Sequence, residues 1–269
     1  MPPTPAHRLK SDDAEIAYWT VGDGPPVVLL HPFPAHHEFW LPVAESLSSR
    51  YQLILPDLRG HGESDAGDGP ATMAKHAADI ARILDDAQIG RAPLIGVSIG
   101  GYLLFEFWRR FRNRVAALAL CNTKAPADNA ELRAGRLSAA NDVLEHGTEP
   151  FLQTMVPRLL GKTTRESRPD LVDGALRMMR KMSPEDIAQV QRGMADRPDS
   201  IDTLKTINVP TLLATGDEDV STGINEAEFM RQHIPGSQLR VIPRAGHYAA
   251  WEQPAEATGI LRQFLESLS

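Results

Sequence analysis

Short apolar runs and helical stripes alternate along this chain. Residues 15–21 alternate in polarity around Ile16, Tyr18 and Trp19, and Gly22-Asp23-Gly24-Pro25 supplies a turn. The next run, 26–30 (PVVLL), is apolar enough for a strand buried on both faces. A helical pattern over 39–47 leads to a second such strand at 51–55 (YQLIL) and then to a loop rich in Gly and Asp over 57–69. Met73, His76, Ala77, Ile80, Ile83 and Leu84 recur at the spacing of an amphipathic helix. Strand 93–97, helix 99–111 (apolar nearly all round) and strand 115–121 (VAALALC) complete the first part. The rhythm resumes late, with strand 209–215, helix 226–233, strand 238–242 and a closing helix striped by Ile260, Leu261, Phe264, Leu265 and Leu268. Short buried strands alternating with helices imply right-handed βαβ crossovers. The fold class is therefore α/β, a doubly wound and mostly parallel sheet.

Residues 124–205 break this rhythm. No strand is evident there, and pieces such as 131–145 and 171–182 read as helices separated by Pro150, Pro157, Pro169 and Pro184. A stretch of that length between two strands of one sheet cannot be a loop inside a compact domain. It predicts an inserted helical lid over the carboxyl edge of the strands, where open α/β sheets bind their ligands. The organisation expected is a core made of 1–123 and 206–269, with 124–205 as the lid.

Composition narrows the function. With 269 residues, 42% hydrophobic and 23% charged, the chain is ordinary globular material that needs no disulfide or metal to support its core. A net charge of −7 speaks against nucleic acid as a partner. The single cysteine, Cys121, removes any intrachain disulfide framework and reads as a small core residue. The opening MPPTPAHRLK has three prolines and no apolar core, and the longest apolar stretches are far too short to span a bilayer. A soluble cytoplasmic protein without a membrane partner is expected. No feature of the sequence speaks to its oligomeric state.

The sharpest chemical signal is Gly96-Val97-Ser98-Ile99-Gly100, a G-x-S-x-G pattern between a predicted strand and a predicted helix. A serine at such a turn needs strained backbone angles and small neighbours two residues away on each side, which Gly96, Gly100 and Gly101 provide. The turn lifts the hydroxyl above the sheet edge. Of the nine histidines, His247 stands just after the last strand, on the edge that carries Ser98, and is the base expected for it. His36 and His37 lack the spacing of a helical metal pair, and no cysteine or carboxylate is read as framing them. Strand 209–215 runs into Gly216-Asp217-Glu218-Asp219, so three acids compete to orient the imidazole; the residues alone do not separate Asp217 from Asp219.

GVSIGG after a strand, a late aspartate and a later Gly-His together resemble the α/β-hydrolase superfamily, in its serine-nucleophile branch. The likeness covers most of the chain. It includes Pro56-Asp57-Leu58-Arg59-Gly60-His61-Gly62-Glu63-Ser64, similar to the family's D-x-R-G-x-G-x-S loop, and Ala245-Gly246-His247 followed by Glu252-Gln253-Pro254. The resemblance implies a triad of Ser98, Asp219 (in a G-x-x-D pattern, with Asp217 in reserve) and His247. It also implies an oxyanion hole of the Phe33 and Ile99 amides. His31-Pro32-Phe33-Pro34 departs from the family's H-G-x-P, and because proline has no N–H only Phe33 can donate among residues 32–34. The Phe33–Pro34 bond is a candidate for the cis form.

What the resemblance implies about function is a carboxylic ester hydrolase, close to small bacterial esterases and 3-oxoadipate enol-lactonases, acting on a small-molecule ester or lactone with no metal or organic cofactor. Carbon–carbon bond hydrolases and perhydrolases of the same fold, and small-molecule receptors that keep the triad, are the alternatives. Trp251 and Met155 are the candidate pocket residues. With no polar clamp visible in the sequence, an apolar or mixed acyl group is the expected substrate.

Overall fold

The computed structural model describes residues 6–268. The early prolines noted above, Pro2, Pro3 and Pro5, lie outside the described residues. Eight strands form one sheet: β1 (His7–Ser11), β2 (Ala14–Val21), β3 (Pro26–Leu30), β4 (Gln52–Pro56), β5 (Ala92–Val97), β6 (Val115–Cys121), β7 (Thr211–Gly216) and β8 (Gln238–Ile242), in the order β1-β2-β4-β3-β5-β6-β7-β8. From β4 to β8 every pairing is parallel, while β1 and β2 join antiparallel at one edge. The central strands are buried on both faces, which is why they read as unbroken apolar runs. Helices α1 (Leu41–Leu47), α2 (Met73–Asp86) and α3 (Ile99–Phe111) lie in the first part of the chain and flank the sheet, α2 packing against α3.

Between β6 and β7 the chain forms only helices: α4 (Ala130–His146), α5 (Thr148–Leu159), α6 (Lys162–Ser167), α7 (Pro169–Met179), α8 (Pro184–Ala195) and the short α9 (Ile201–Leu204). Past β7, α10 (Ile224–His233), α11 (Ala249–Glu252) and α12 (Pro254–Glu266) complete the fold, and α12 packs against α1.

The chain passes from β3 outward to β4 and then returns to the other side of β3 as β5. Loops leaving the carboxyl ends of β3 and β5 therefore diverge, and a crevice opens between them. That switch point carries Phe33 after β3 and Ser98 after β5.

Several elements differ from the sequence pattern for identifiable reasons. Strand β1 was not expected: HRLKS is a mostly exposed edge strand whose charged side chains mask its alternation. Pro150 and Pro157 do not separate helices but lie within α5. Pro150 falls in the first turn, where no intrahelical N–H is needed, and Pro157 lies close to the helix end. The helix predicted over 39–47 starts as a 3₁₀ turn at His37–Trp40 before α1.

The loop predicted over 57–69 has no regular structure but is locked by buried polar groups. Asp57 Oδ1 accepts from the His37 amide at 2.7 Å and from His37 Nδ1 at 2.9 Å, and Asp57 Oδ2 accepts from the Glu63 amide at 2.8 Å. Arg59 makes a two-pronged pair with Asp79 on α2 at 2.9 and 2.8 Å. His31 Nδ1 donates to the Pro32 carbonyl at 3.0 Å while Nε2 accepts the Leu58 amide at 2.9 Å. That arrangement requires a neutral ring, and burial holds its pKa well below the ordinary value. These bonds fix the loop after β3 against the loop after β4. His36 and His37 are thus framed by carboxylates after all: Asp57 holds His37, and the ligand atoms of His36, His37 and Glu38 lie within 4.8 Å of one another. Glu38 is adjacent in sequence and Asp57 approaches only in space, so helical spacing reveals neither.

The inserted helices press hard on the core. The Ala71 amide donates to the Gln189 carbonyl of α8 at 3.1 Å, and a Cβ placed on Gly193 of the same helix would meet the Ala71 carbonyl oxygen at 1.9 Å. Gly193→Ala is therefore expected to lower stability by about 1–3 kcal/mol through overpacking. Urea denaturation should show a lower midpoint with an unchanged slope.

Candidate active site

The backbone at Ser98 has φ 55° and ψ −112°, a conformation that a side-chain-bearing residue adopts only under constraint from its surroundings. The constraint is close packing of strand against helix. A Cβ on Gly96 would lie 2.5 Å from the Gly100 carbonyl carbon, one on Gly100 would lie 2.8 Å from the Leu30 carbonyl oxygen, and one on Gly101 would lie 2.4 Å from Thr123 Oγ1. The turn is tied to the neighbouring strand by the Ser98 amide, which donates to the Cys121 carbonyl at 3.0 Å, and by Thr123 Oγ1, which donates to the Ser98 carbonyl at 2.9 Å. Ile99 is buried and opens α3, so its amide is among the first-turn donors that a helix cannot satisfy internally.

Ser98, Phe33 and His247 line one cavity of about 820 Å³, to which α4 and α5 contribute much of the wall. The Phe33–Pro34 bond is cis, and Tyr248 Oη donates to the Phe33 carbonyl at 3.2 Å. Met155 of α5 lines the cavity. Trp251 does not: its Nε1 donates to the Leu171 carbonyl at 3.2 Å and its ring packs on Gly174, so it pins α7 to the core. Its nearness to His247 in sequence suggested otherwise, but α11 turns the side chain toward the inserted helices. Met178, Met179 and Met182 are buried and fill the core instead of lining the cavity.

The acids after β7 separate by environment. Asp219, whose side chain is fully buried, has Oδ2 2.9 Å from His247 Nδ1. Asp217 is exposed and accepts only a long bond, 3.3 Å, from the Ala245 amide. Glu218 accepts from the Thr163 amide at 2.8 Å and from the Thr163 hydroxyl, tethering α6. Asp219 also accepts from Asn122 Nδ2 at 2.8 Å, Thr222 Oγ1 at 3.0 Å, and the Ser221 and Thr222 amides at 2.8 and 3.0 Å. Burial alone would raise its pKa, but His247 and these donors outweigh it and hold the carboxyl well below the usual carboxylate range. An ionised Asp219 facing Nδ1 fixes the proton there and leaves Nε2 as the imidazole's acceptor.

Three further residues complete this arrangement, and of these only Glu252 falls within a run that carries the family likeness. Asn122 and Thr222 complete the shell of Asp219; a polar Asn directly after the apolar β6 is the one local hint for the first. Glu252 is buried, with Oε1 accepting from the Gly246 amide at 2.9 Å and Oε2 from the Gly161 amide at 2.8 Å. It clamps the backbone beside His247 to the inserted helices. Cys121 takes no part: burial pushes its thiol up to about 12.

The α/β-hydrolase fold family matches residues 25–254, and the chain belongs to that family. Among its curated relatives, 3-oxoadipate enol-lactonase 2 of Acinetobacter baylyi is 29% identical over 91% of this chain and 91% of its own length. Pimeloyl-[acyl-carrier protein] methyl ester esterase of Nitrosomonas europaea is 28% identical over 87% of this chain and 93% of its own. Among solved structures, a thermophilic esterase from Thermogutta terrifontis superposes with a TM-score of 0.95 at 36% identity, covering 98% of this chain and 99% of that one. No helix among the described residues is long and apolar enough to cross a membrane.

The depressed Asp219 pKa has a consequence for stability. A carboxyl whose folded pKa lies below its unfolded value of about 3.9 contributes stability that is present above that value and lost as pH falls through the folded pKa. Asp219→Asn is therefore expected to be most damaging at pH 5, and the gap to the parent protein should narrow by about 1 kcal/mol at pH 3. Urea midpoints at the two pH values check this; a gap that stays constant would mean that Asp219 gains nothing from ionisation.

Proposed function

We propose that the protein is a serine hydrolase that cleaves a carboxylic ester or lactone through an acyl-enzyme on Ser98. The observation that carries the reading is the convergence of a strained serine and an imidazole on one cavity, the imidazole being held at Nδ1 by a buried carboxylate. Lactonase and esterase relatives support the same chemistry.

In this mechanism His247 Nε2 accepts the proton of Ser98 as Oγ attacks the acyl carbon. Asp219 stabilises the imidazolium that forms, without itself taking the proton. The amides of Phe33 and Ile99 donate to the tetrahedral oxyanion, each such donor being worth about 3 kcal/mol in the transition state. Protonated His247 returns its proton to the departing alkoxide, and the acyl group stays on Ser98. Water then attacks the acyl-enzyme with His247 again as base, releasing the acid and restoring the serine. The inserted helices act as the lid: they wall the cavity and reduce the access of water, which strengthens every charge interaction within.

Ser98→Ala should reduce kcat on p-nitrophenyl butyrate by at least about 10³-fold with its melting temperature close to that of the parent. Asp219→Asn should cost about 10³–10⁴-fold, whereas Asp217→Asn should stay within about threefold. Full activity in Ser98→Ala would refute the assignment.

A further inference from the structure

The wall of the cavity holds more positive charge than its own fold uses. Asp128, whose side chain is 1% exposed, receives three cations. Arg197 Nη2 donates to Oδ1 at 2.9 Å and Arg136 Nε donates to Oδ2, so both carboxylate oxygens are already taken. Lys124 Nζ stands off at 3.4 Å from Oδ1, longer than a good charge-assisted bond, and among the described residues it has no other ionic partner. Arg197 is sealed behind this layer, donating to the Pro126 carbonyl at 2.6 Å and stacked 4.2 Å from the centre of the Tyr102 ring. Lys124 and Arg136, in contrast, face the cavity together with Tyr102.

The position of this cluster relative to Ser98 follows from the chain. Tyr102 lies one helical turn after Ser98, and its amide donates to the Ser98 carbonyl at 3.1 Å. Lys124 directly follows Thr123, whose hydroxyl also bonds the Ser98 carbonyl. The lysine therefore sits at the root of the inserted helices, on the same floor as the nucleophile. Glu131 and Asp142 also line the cavity, but both are exposed. Their charge is largely screened by solvent, while the inner cations, which solvent reaches less, are not.

Lys124 is not needed to satisfy Asp128, whose two oxygens already accept from Arg197 and Arg136. Its side chain is 14% exposed and lines the cavity that holds Ser98. A cation placed there with one long ionic contact is complementary to an anion brought by the substrate. We propose that Lys124, supported by Arg136, binds a carboxylate on the substrate, making this an enzyme for carboxylate-bearing esters or lactones such as half-esters of short dicarboxylic acids. The proposal rests on the ester-hydrolase reading above and names the substrate class of that same site. It is narrower than the apolar or mixed acyl group expected from the sequence: Lys124 and Arg136 stand twelve residues apart with no motif linking them.

The test compares monomethyl glutarate with dimethyl glutarate, a pair in which one free carboxylate is masked. The parent enzyme is expected to favour the half-ester in kcat/KM by about tenfold or more, and Lys124→Met should erase that preference mainly through KM. Because the readout is a ratio of two substrates, a general loss of folded enzyme cancels; Lys124→Gln provides a second variant should the first fail to fold. A parent that prefers the diester, or a ratio unchanged in both variants, overturns the proposal. If neither ester is turned over, p-nitrophenyl butyrate decides the hydrolase reading separately. Calorimetry with glutarate then decides the anion site, with binding about tenfold weaker in Lys124→Met expected, and equal or absent binding in the parent overturning it.

Discussion

The bend at Ser98 is the constraint around which the rest is arranged. A residue with a side chain is held at a positive φ because strand β5 and helix α3 approach too closely for any gentler connection. Three glycines make the approach possible, and contacts from β6 and Thr123 hold it. The strain is local, but its benefit is positional: the hydroxyl is lifted out of a packed sheet edge onto the floor of a cavity, at the point where the loops of neighbouring strands part.

Around that bend, the structure stabilises charge rather than merely excluding water. Asp219 is buried yet remains anionic because five donors from three separate segments converge on its two oxygens. Glu252 bridges two backbone amides so that the turn bearing His247 cannot drift from the inserted helices, and burial raises its own pKa in the process. The loop from Asp57 to Ser64 does the same for the other rim of the crevice, tying the segment that bears Phe33 through Asp57, His37 and His31. Buried polar bonds of this kind favour one geometry, since the groups that make them have few other partners within reach.

The inserted helices complete the chamber. Their contribution is both steric, through α4 and α5, and electrostatic, through the cluster on Asp128 at the base of α4. The cavity that holds Ser98 and His247 thus gains charged groups, Lys124 and Arg136, in its wall.

How much of this was readable from the chain follows the range of the interactions. Periodicity is local, so the buried strands, the amphipathic α2 and the all-helical insertion were legible, as was the serine turn, whose glycines lie within three residues of it. Strand β1 was not, because an exposed edge strand has no apolar face to reveal it. Proline positions misled within α5, since the cost of a proline depends on its place in the helix and not on its presence. Sequence adjacency also misled at Trp251, where the direction of a short helix decides which neighbour the ring meets. Asp217 and Asp219 are chemically equivalent on paper; only folding buries one against His247 and leaves the other in solvent. The grouping of Lys124, Asp128, Arg136 and Arg197 was likewise invisible, because a charge cluster formed from α4, the segment before it and a residue just after α8 has no period and no motif. The sequence by itself determined the layers and the serine turn, for these depend on neighbours along the chain, while the likeness to the family already pointed to Asp219. Tertiary structure decided the environment that sets Asp219 apart from Asp217 and the charges that line the cavity, because those depend on distance and burial, which the order of residues does not contain.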